Sequence, residues 1–502
     1  MLACMRTAAV FGIEACTVQV EVDVTVGLPS FTMVGLPDIS VRESRDRVRS
    51  AIRNSGYELK PRKITVNLAP ADIRKAGSSF DLPIALGVLA ASGLIKRRDV
   101  AEILLVGELS LDGAIQTARG VLPIAAAARR ERYSGLLLPS PNTAEAAVVE
   151  GLSLFPVRSL AEAVEALNDP EAYLAVNRPA PAERQRPVDD VPDGDFADVR
   201  GQALARRALE IAAAGGHNTL MIGAPGAGKT MMARRVAGIL PELTFDEALE
   251  ATAIHSVAGL LPPGTRLLCA RPFRAPHHTI SEVALVGGGQ HPRPGEISLA
   301  HHGVLFLDEM PEFNRRALEV LRQPLEEGCV RIARAARTAV FPARFMLIGA
   351  MNPCPCGYAG DRHRPCRCSP LQVARYAGRL SGPLRDRIDL TVPVTALPAR
   401  DLQDGAEGES SASIRQRVVS TRERQLQRDG VLNARLTGRR LRARARLQND
   451  ARALLGRALT RLALSARGYD RVLRVSRTIA DLDGAEEISA EHLGEALQFR
   501  GD

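Results

Sequence analysis

Lysine is scarce in this chain. Of 66 basic residues only five are lysine, at 60, 63, 75, 96 and 229, so beyond Lys96 the positive charge is arginine with one exception. No apolar run approaches the roughly 20 residues that a membrane-crossing helix needs. The opening stretch, MLACMRTAAVFGIEAC, lacks a signal-peptide layout, because its apolar core is short and soon meets Glu14. Nor is there an internal repeat at a solenoid period. With 45% hydrophobic and 25% charged residues, the 502-residue chain reads as soluble, globular and long enough for two or three domains. No membrane association and a cytoplasmic location are expected, and there the clustered members of its eight cysteines lean toward metal rather than disulfides. The formal charge of +9 is compatible with nucleic acid and equally with a solvated arginine surface.

The pattern along the chain predicts an α/β protein in three parts. Residues 1–175 alternate strand and helix signals. VQVEVDVTV (18–26) alternates with period two, and SVRESRDRVRSAIRNSG (40–56) is an amphipathic helix with a serine start and a glycine stop. Residues 176–198, rich in proline and aspartate, read as a linker. A second α/β block, 199–398, contains the strands TLMIGAP, GVLFLDE and RFMLIGAMN. The remainder, 399–502, opens on a polar loop and is helical, with arginine-rich faces in RLTGRRLRARARLQND.

GAPGAGKT follows an apolar strand and precedes a helix, the context in which G-x-x-x-x-G-K-[ST] is a phosphate loop. Backbone amides of Gly223, Ala224, Pro225, Gly226, Ala227 and Gly228 are expected to surround a β-phosphate, proline contributing no N–H. Lys229 would reach the β- and γ-phosphates of ATP, and Thr230 would offer its hydroxyl to Mg²⁺. In GVLFLDEM, about 80 residues on, Asp308 would hold the Mg²⁺ water shell and Glu309 would polarise the attacking water. Asn352 closes the next core strand, where its amide can orient that water. Otherwise it is a turn-forming asparagine before Pro353.

Half the cysteines fall within 354–368. Cys354, Cys356, Cys366 and Cys368 form C-x-C, nine residues, C-x-C. Four thiolates suit a tetrahedral, structural Zn²⁺, with His363 as a substitute ligand; reactive thiols or no role are the alternatives. The pairs His277–His278 and His301–His302 are expected to be hydrogen-bonded rather than metal-bound.

Three long stretches, RPFRAPHHTISEVALVGGGQHPRPGEISLAHHGVLFLDEMPEF, FPARFMLIGAMNPCPCG and LSGPLRDRIDL, closely resemble the ComM/YifB family of magnesium-chelatase-like AAA+ ATPases, and the resemblance runs nearly the whole chain. It implies an AAA+ core with a helical lid, Asn352 at the sensor-1 position, Arg387 as an arginine finger acting on the neighbouring subunit's ATP, and Arg467 as the sensor-2 arginine. Arg385 stands where most members have an apolar residue. Two insertions are implied, a helix-2 insert near 279–298 and a presensor-1 hairpin at 328–345, both directed at a central pore. Arg331, Arg334 and Arg337 would there meet DNA phosphates. The first block resembles a Lon-type peptidase domain, with Ser79 at the nucleophile position. The matching base position falls near Leu122, and no lysine lies between Lys96 and Lys229, so no peptidase activity is expected. The resemblance implies a homohexameric DNA branch-migration helicase of recombination and natural transformation. The alternative is a protein-remodelling or magnesium-chelatase-like ATPase.

Overall fold

Two separate β-sheets organise the chain, each built from strands whose alternation or full burial the sequence announces. The structure is a computed structural model that describes residues 1–36, 38–71, 75, 78–96, 99–177, 194–289, 292–333, 338–361, 364–396, 408–462 and 464–500. The first sheet has seven strands in the order Ser30–Val34, Lys63–Ala69, Glu14–Thr25, Leu2–Phe11, Ile103–Leu105, Gly135–Pro139 and Ser153–Val157. Strands Leu2–Phe11 and Glu14–Thr25 pair antiparallel, as does Glu14–Thr25 with Lys63–Ala69, and the other neighbours run parallel. The alternating Val18, Val20, Val22 and Val24 are all buried, as a period-two strand with one face on the core requires. The apolar helix Asp81–Ala91 lies in that core with nearly every residue buried. The helix expected from Ser40 begins one residue earlier and spans Ile39–Asn54. Its cap is Asp38 rather than the serine the sequence suggested, the Asp38 carboxylate accepting from the Val41 amide at 2.9 Å.

The second sheet is wholly parallel, five strands in the order Leu390–Val394, Thr219–Gly223, Met346–Met351, Val304–Leu307 and Phe273–Arg274. The three central strands are almost entirely buried, as continuous apolar runs in a parallel sheet covered on both faces should be. Helices Ser411–Asp429, Gly438–Arg444, Asn449–Arg461, Ala466–Leu482 and Ala490–Gln498 follow. Their buried residues, including Val418, Leu441, Leu455 and Ile479, share one apolar core with strands Thr219–Gly223 and Leu390–Val394. The expected linker coincides mostly with residues outside those described.

Both sequence insertions have structure. Residues Glu282–Val286 form a short helix, followed by an antiparallel pair, Gly287–Gly288 with Arg293–Pro294. Cys329–Ala333 and Thr338–Pro342 form a hairpin in register from Cys329↔Pro342 to Ala333↔Thr338. The two insertions pack together, with Leu285 of the first buried alongside Val330, Ile332, Ala339 and Phe341 of the second. The turn between the first two strands of the chain reaches this same cluster. Phe11 and Ile13 pack against it, and Gly12, at φ 66°, sits so close that an added Cβ would lie 3.2 Å from the Val340 carbonyl oxygen. A second link joins the blocks, where Ser256 Oγ donates to Glu145 Oε2 at 2.6 Å and the Gly120 amide donates to the Ser256 carbonyl at 3.1 Å. Glu145 also accepts from Asn142 and from the Leu122 amide, and burial raises its pKa.

Candidate nucleotide site and cysteine cluster

In a parallel sheet, ligands collect beyond the carboxyl ends of the strands. The registers Ile222↔Met351 and Leu307↔Gly349 bring the carboxyl ends of three strands together, with Gly223 closing the first and Asp308 and Asn352 just past the other two. The loop after the first strand turns through Gly226 and Gly228 at φ 77° and 90°, left-handed values that favour glycine. It delivers the chain into the helix Lys229–Ile239 with no side chain capping its first amides. Those free N–H groups and the helix dipole favour an anion.

Lys229 is buried, and its ammonium donates to the carbonyls of Gly223 and Ala224 at 2.7 and 2.9 Å and to Asn352 Oδ1 at 3.2 Å. Burial lowers its pKa, opposed by the charges of Asp308 and Glu309. Thr230 Oγ1 donates to Asp308 Oδ2 at 2.5 Å, while Asp308 Oδ1 accepts from the Glu309 amide at 2.9 Å. A hydroxyl and a carboxylate oxygen thus converge beside a buried ammonium and a row of free amides. That donor set fits a magnesium–nucleoside triphosphate. The backbone N–H of Asn352 faces the Tyr376 hydroxyl.

Glu309 occupies a left-handed backbone position, φ 49°, and its carboxylate lies 3.5 Å from His278 Nδ1. His278 in turn stacks on His277 at 4.1 Å and meets the edge of Phe313. The partner of Glu309 therefore comes from the stretch that leads into the first insertion, a link that a 31-residue separation hid from sequence reading.

The other histidine pair forms a hydrogen-bonded cluster at the foot of the Val304–Leu307 strand. His301 Nε2 lies 2.8 Å and His302 Nε2 lies 2.9 Å from Glu250 Oε2. His301 Nδ1 accepts the Arg344 amide at 2.9 Å, so its proton resides on Nε2 and points at the carboxylate. In this tautomer both rings are turned to the Glu250 carboxylate, and the three side chains lie close enough together to share one ligand. Burial and the neighbouring His302 hold the His301 pKa down at about 4.

The expected finger and sensor arginines lie at one end of the second sheet. Arg387 is only 11% exposed; its guanidinium donates to Glu326 and to the Pro383 carbonyl, leaving Nε buried without a partner among the described residues. Arg385 donates to the Ala377 carbonyl at 2.6 Å. Arg467 is 64% exposed and approaches Asp386 at 3.5 Å. Its neighbour Arg471 is tighter, donating to the Ile388 carbonyl at 2.6 Å. On the hairpin, exposed Arg331 lies 3.3 Å from Glu327, while Arg334 and Arg337 fall outside the described residues. Glu326 and Glu327, which close the helix before the hairpin, were missed by sequence reading. Carboxylates there carry no motif, and only the fold brings Glu326 to Arg387.

The four clustered cysteines converge. Cys354 Sγ lies 3.3 Å from Cys356 Sγ and 3.7 Å from Cys366 Sγ, Cys356 and Cys366 are 3.6 Å apart, and all four sulfurs fall within 4.8 Å of one another. Sulfurs around a tetrahedral zinc with Zn–S near 2.3 Å stand about 3.8 Å apart. The thiols therefore fit Zn²⁺. The Ala359 and Cys368 amides donate to Cys354 and Cys366, and the amides of Arg367 and Tyr358 bring the Cys356 thiol down to about 6. His363 lies outside the described residues. This loop touches the phosphate loop: at Gly357, φ 87°, an added Cβ would lie 2.6 Å from Pro225 Cδ.

In the first block, Ser79 is half-buried and Leu122 is buried. Lys75, four residues before Ser79, is fully buried and donates to the carbonyls of Gly35, at 3.1 Å, and Pro70.

Three family models match, the magnesium chelatase subunit ChlI over residues 195–402, a further subunit ChlI model over 20–142 and its C-terminal region over 408–500. YifB of Salmonella typhimurium, an uncharacterized protein, is 45% identical over 99% of this chain and 97% of its own. The competence protein ComM of Haemophilus influenzae is likewise 45% identical, with the same coverage. A magnesium-chelatase 67 kDa subunit of Chlorobaculum parvum is 29% identical over 32% of this chain and 23% of its own. No helix among the described residues is long and apolar enough to cross a membrane. On the full-length matches, the chain belongs to the ComM/YifB family of magnesium-chelatase-like AAA+ ATPases.

Proposed function

We propose that this chain is an ATP-driven ring motor, a homohexamer, that acts on DNA and migrates branches in recombination intermediates. The observation that carries the reading is the joint packing of the two insertions beside a site suited to ATP hydrolysis. His278 links the approach to one insertion with Glu309, and Glu326 links the root of the other with Arg387. Strain on either insertion would thereby reach a group that acts in hydrolysis. The relative from Haemophilus, named a competence protein, supports a role in natural transformation.

Bound ATP with Mg²⁺ supplies the reactive phosphoanhydride and the charge that polarises it. Lys229 would leave its loop carbonyls to neutralise phosphate charge, and Thr230 and Asp308 would hold the magnesium. Asn352 would position water, and Glu309 would take its proton. Arg387 would enter the neighbouring subunit's site, giving up Glu326 as it does so, with Arg467 supporting the lid side. Hydrolysis would then depend on assembly. Arg331, Arg334 and Arg337 would contact DNA phosphates at the pore. The cysteine loop would bind structural Zn²⁺ and brace the phosphate loop through Gly357 and Pro225.

The division at 175, 198 and 398 is part of this proposal. So is a first block without peptidase activity, in keeping with an apolar Leu122 at the base position. A protein-remodelling or chelatase-type motor is the second reading, favoured by the chelatase family matches. ATP turnover with and without DNA separates the two. Stimulation by DNA that weakens steeply with salt supports the first, and stimulation by unfolded polypeptide alone supports the second.

A further inference from the structure

From Arg439 to Arg446 the chain reads RRLRARAR, five arginines in eight residues. Two apolar side chains one helical turn apart, Leu441 and Ala445, are buried and fasten the segment to the core of the helical region. Arg439, Arg440, Arg442 and Arg446 are exposed.

The remaining arginine and its surroundings isolate these four. Arg444 donates to Asp429 at 2.7 Å, and that carboxylate is also paired with Arg428. Asp450 accepts the amide of Ala451 at the start of the next helix. Glu486 and Glu487 come near through the Leu447–Ile488 bridge but form no ion pair with the strip among the described residues. Several other arginines of these helices are satisfied internally, Arg417 by Glu210 and Glu409, Arg422 by the Ala213 carbonyl, Arg474 by the Ala434 carbonyl and Arg477 by Asp481, while Arg452, Arg457 and Arg461 of the following helix are exposed like the strip but are spread along three turns. None of Arg439, Arg440, Arg442 and Arg446 donates to a carboxylate or carbonyl among the described residues.

We propose that this strip is a second nucleic-acid contact, away from the insertions, that grips the phosphate backbone of duplex DNA. The proposal rests on the DNA-motor reading. Four like charges held together repel one another, and a polyanion relieves that repulsion while releasing its own counterions. Guanidinium groups match phosphate oxygens through paired N–H donors better than ammonium groups do. From Leu436 to Gln448 there is no aromatic residue on which an unpaired base could stack, so the strip suits a backbone of paired DNA rather than a single strand. Such a contact would hold a duplex arm while the insertions act on a strand.

The test measures binding of the full-length protein to a fluorescein-labelled DNA duplex, and to one of its strands, across a series of sodium chloride concentrations. The variant is Arg439→Gln/Arg440→Gln/Arg442→Gln. Each lost phosphate contact lowers the slope of log affinity against log salt by about 0.9, so the triple variant should lose about 2.7 on duplex and less on the single strand. ATP turnover without DNA should be unchanged, which also reports correct folding, and Arg440→Glu alone serves as a milder second variant. If wild type binds duplex and the slope is the same in both variants, the strip is a solvated surface and this inference fails while the DNA reading stands. If wild type binds no DNA at any salt, both fail. Loss of polyglutamate binding with duplex binding intact would identify an acidic polypeptide as the partner and overturn the inference.

Discussion

Lys229 Nζ sits 3.2 Å from Asn352 Oδ1, a hydrogen bond across 123 residues that ties the phosphate loop to the end of the neighbouring core strand. In this arrangement the lysine is held by protein oxygens, and a phosphate must replace them. Lys229→Ala should abolish ATP turnover. Asn352→Ala should lower kcat by about 100-fold, with nucleotide affinity little changed, because its amide acts on water rather than on the bound phosphates. Steady-state turnover combined with equilibrium nucleotide binding separates the two effects.

Arg387 and Glu326 supply the next prediction. Arg387→Ala should reduce kcat on the order of 10³-fold while leaving nucleotide binding by the isolated chain intact. Mixed rings decide whether the effect crosses a subunit boundary. Combined with Lys229→Ala subunits, Arg387→Ala chains should recover part of the turnover at those sites whose neighbours keep the arginine. No recovery at any mixing ratio would place the arginine's role within its own subunit.

The cysteine loop should carry about one zinc per chain, measured by elemental mass spectrometry of protein purified without added metal. Stripping zinc with a strong chelator, or Cys354→Ser, should lower the melting temperature. Either should also weaken nucleotide binding, because the loop presses on Pro225. A metal-free protein with unchanged nucleotide affinity would argue against the bracing role.

The first block should matter to the hairpin through Phe11 and Ile13. Phe11→Ala removes apolar packing worth about 1–3 kcal/mol at a partly buried site. Its expected signature is a loss of DNA-stimulated turnover greater than the loss of basal turnover. Equal loss in both would mean that the contact serves stability alone.

The His301–Glu250 cluster makes a prediction about pH. His301 is held down at about 4 in the folded chain, against about 6.5 unfolded, so the unfolded chain binds more protons between those values. Stability present above about pH 6.5 should fall progressively as pH drops toward 4. Glu250, lowered in the fold by its histidine hydrogen bonds against the opposing effect of burial, acts in the same direction once it protonates. Thermal melting across this window should show a steeper fall for wild type than for His301→Asn.

What the sequence made legible was local. The phosphate loop, the apolar strand ending in Asp308 and the strand ending in Asn352 each declare themselves within about ten residues, because strand burial and loop chemistry are written consecutively. The cysteine pattern predicted convergence because its spacing is short. Contacts formed by folding at long range were not legible: the clasp of Glu326 on Arg387, the approach of His278 to Glu309, and the seating of Phe11 and Ile13 on the hairpin. Even the cap of the Ile39–Asn54 helix was misread, because Ser40 and Asp38 are both good caps and only backbone geometry chooses between them.

The central claim is that this ATPase moves branched DNA. Its most direct test is dissociation of a labelled four-way DNA junction by the assembled wild-type protein with ATP and magnesium, with Lys229→Ala as control. The account predicts junction processing that requires ATP hydrolysis and disappears in the variant. An assembled ring that hydrolyses ATP in the presence of the junction yet leaves it intact would contradict it.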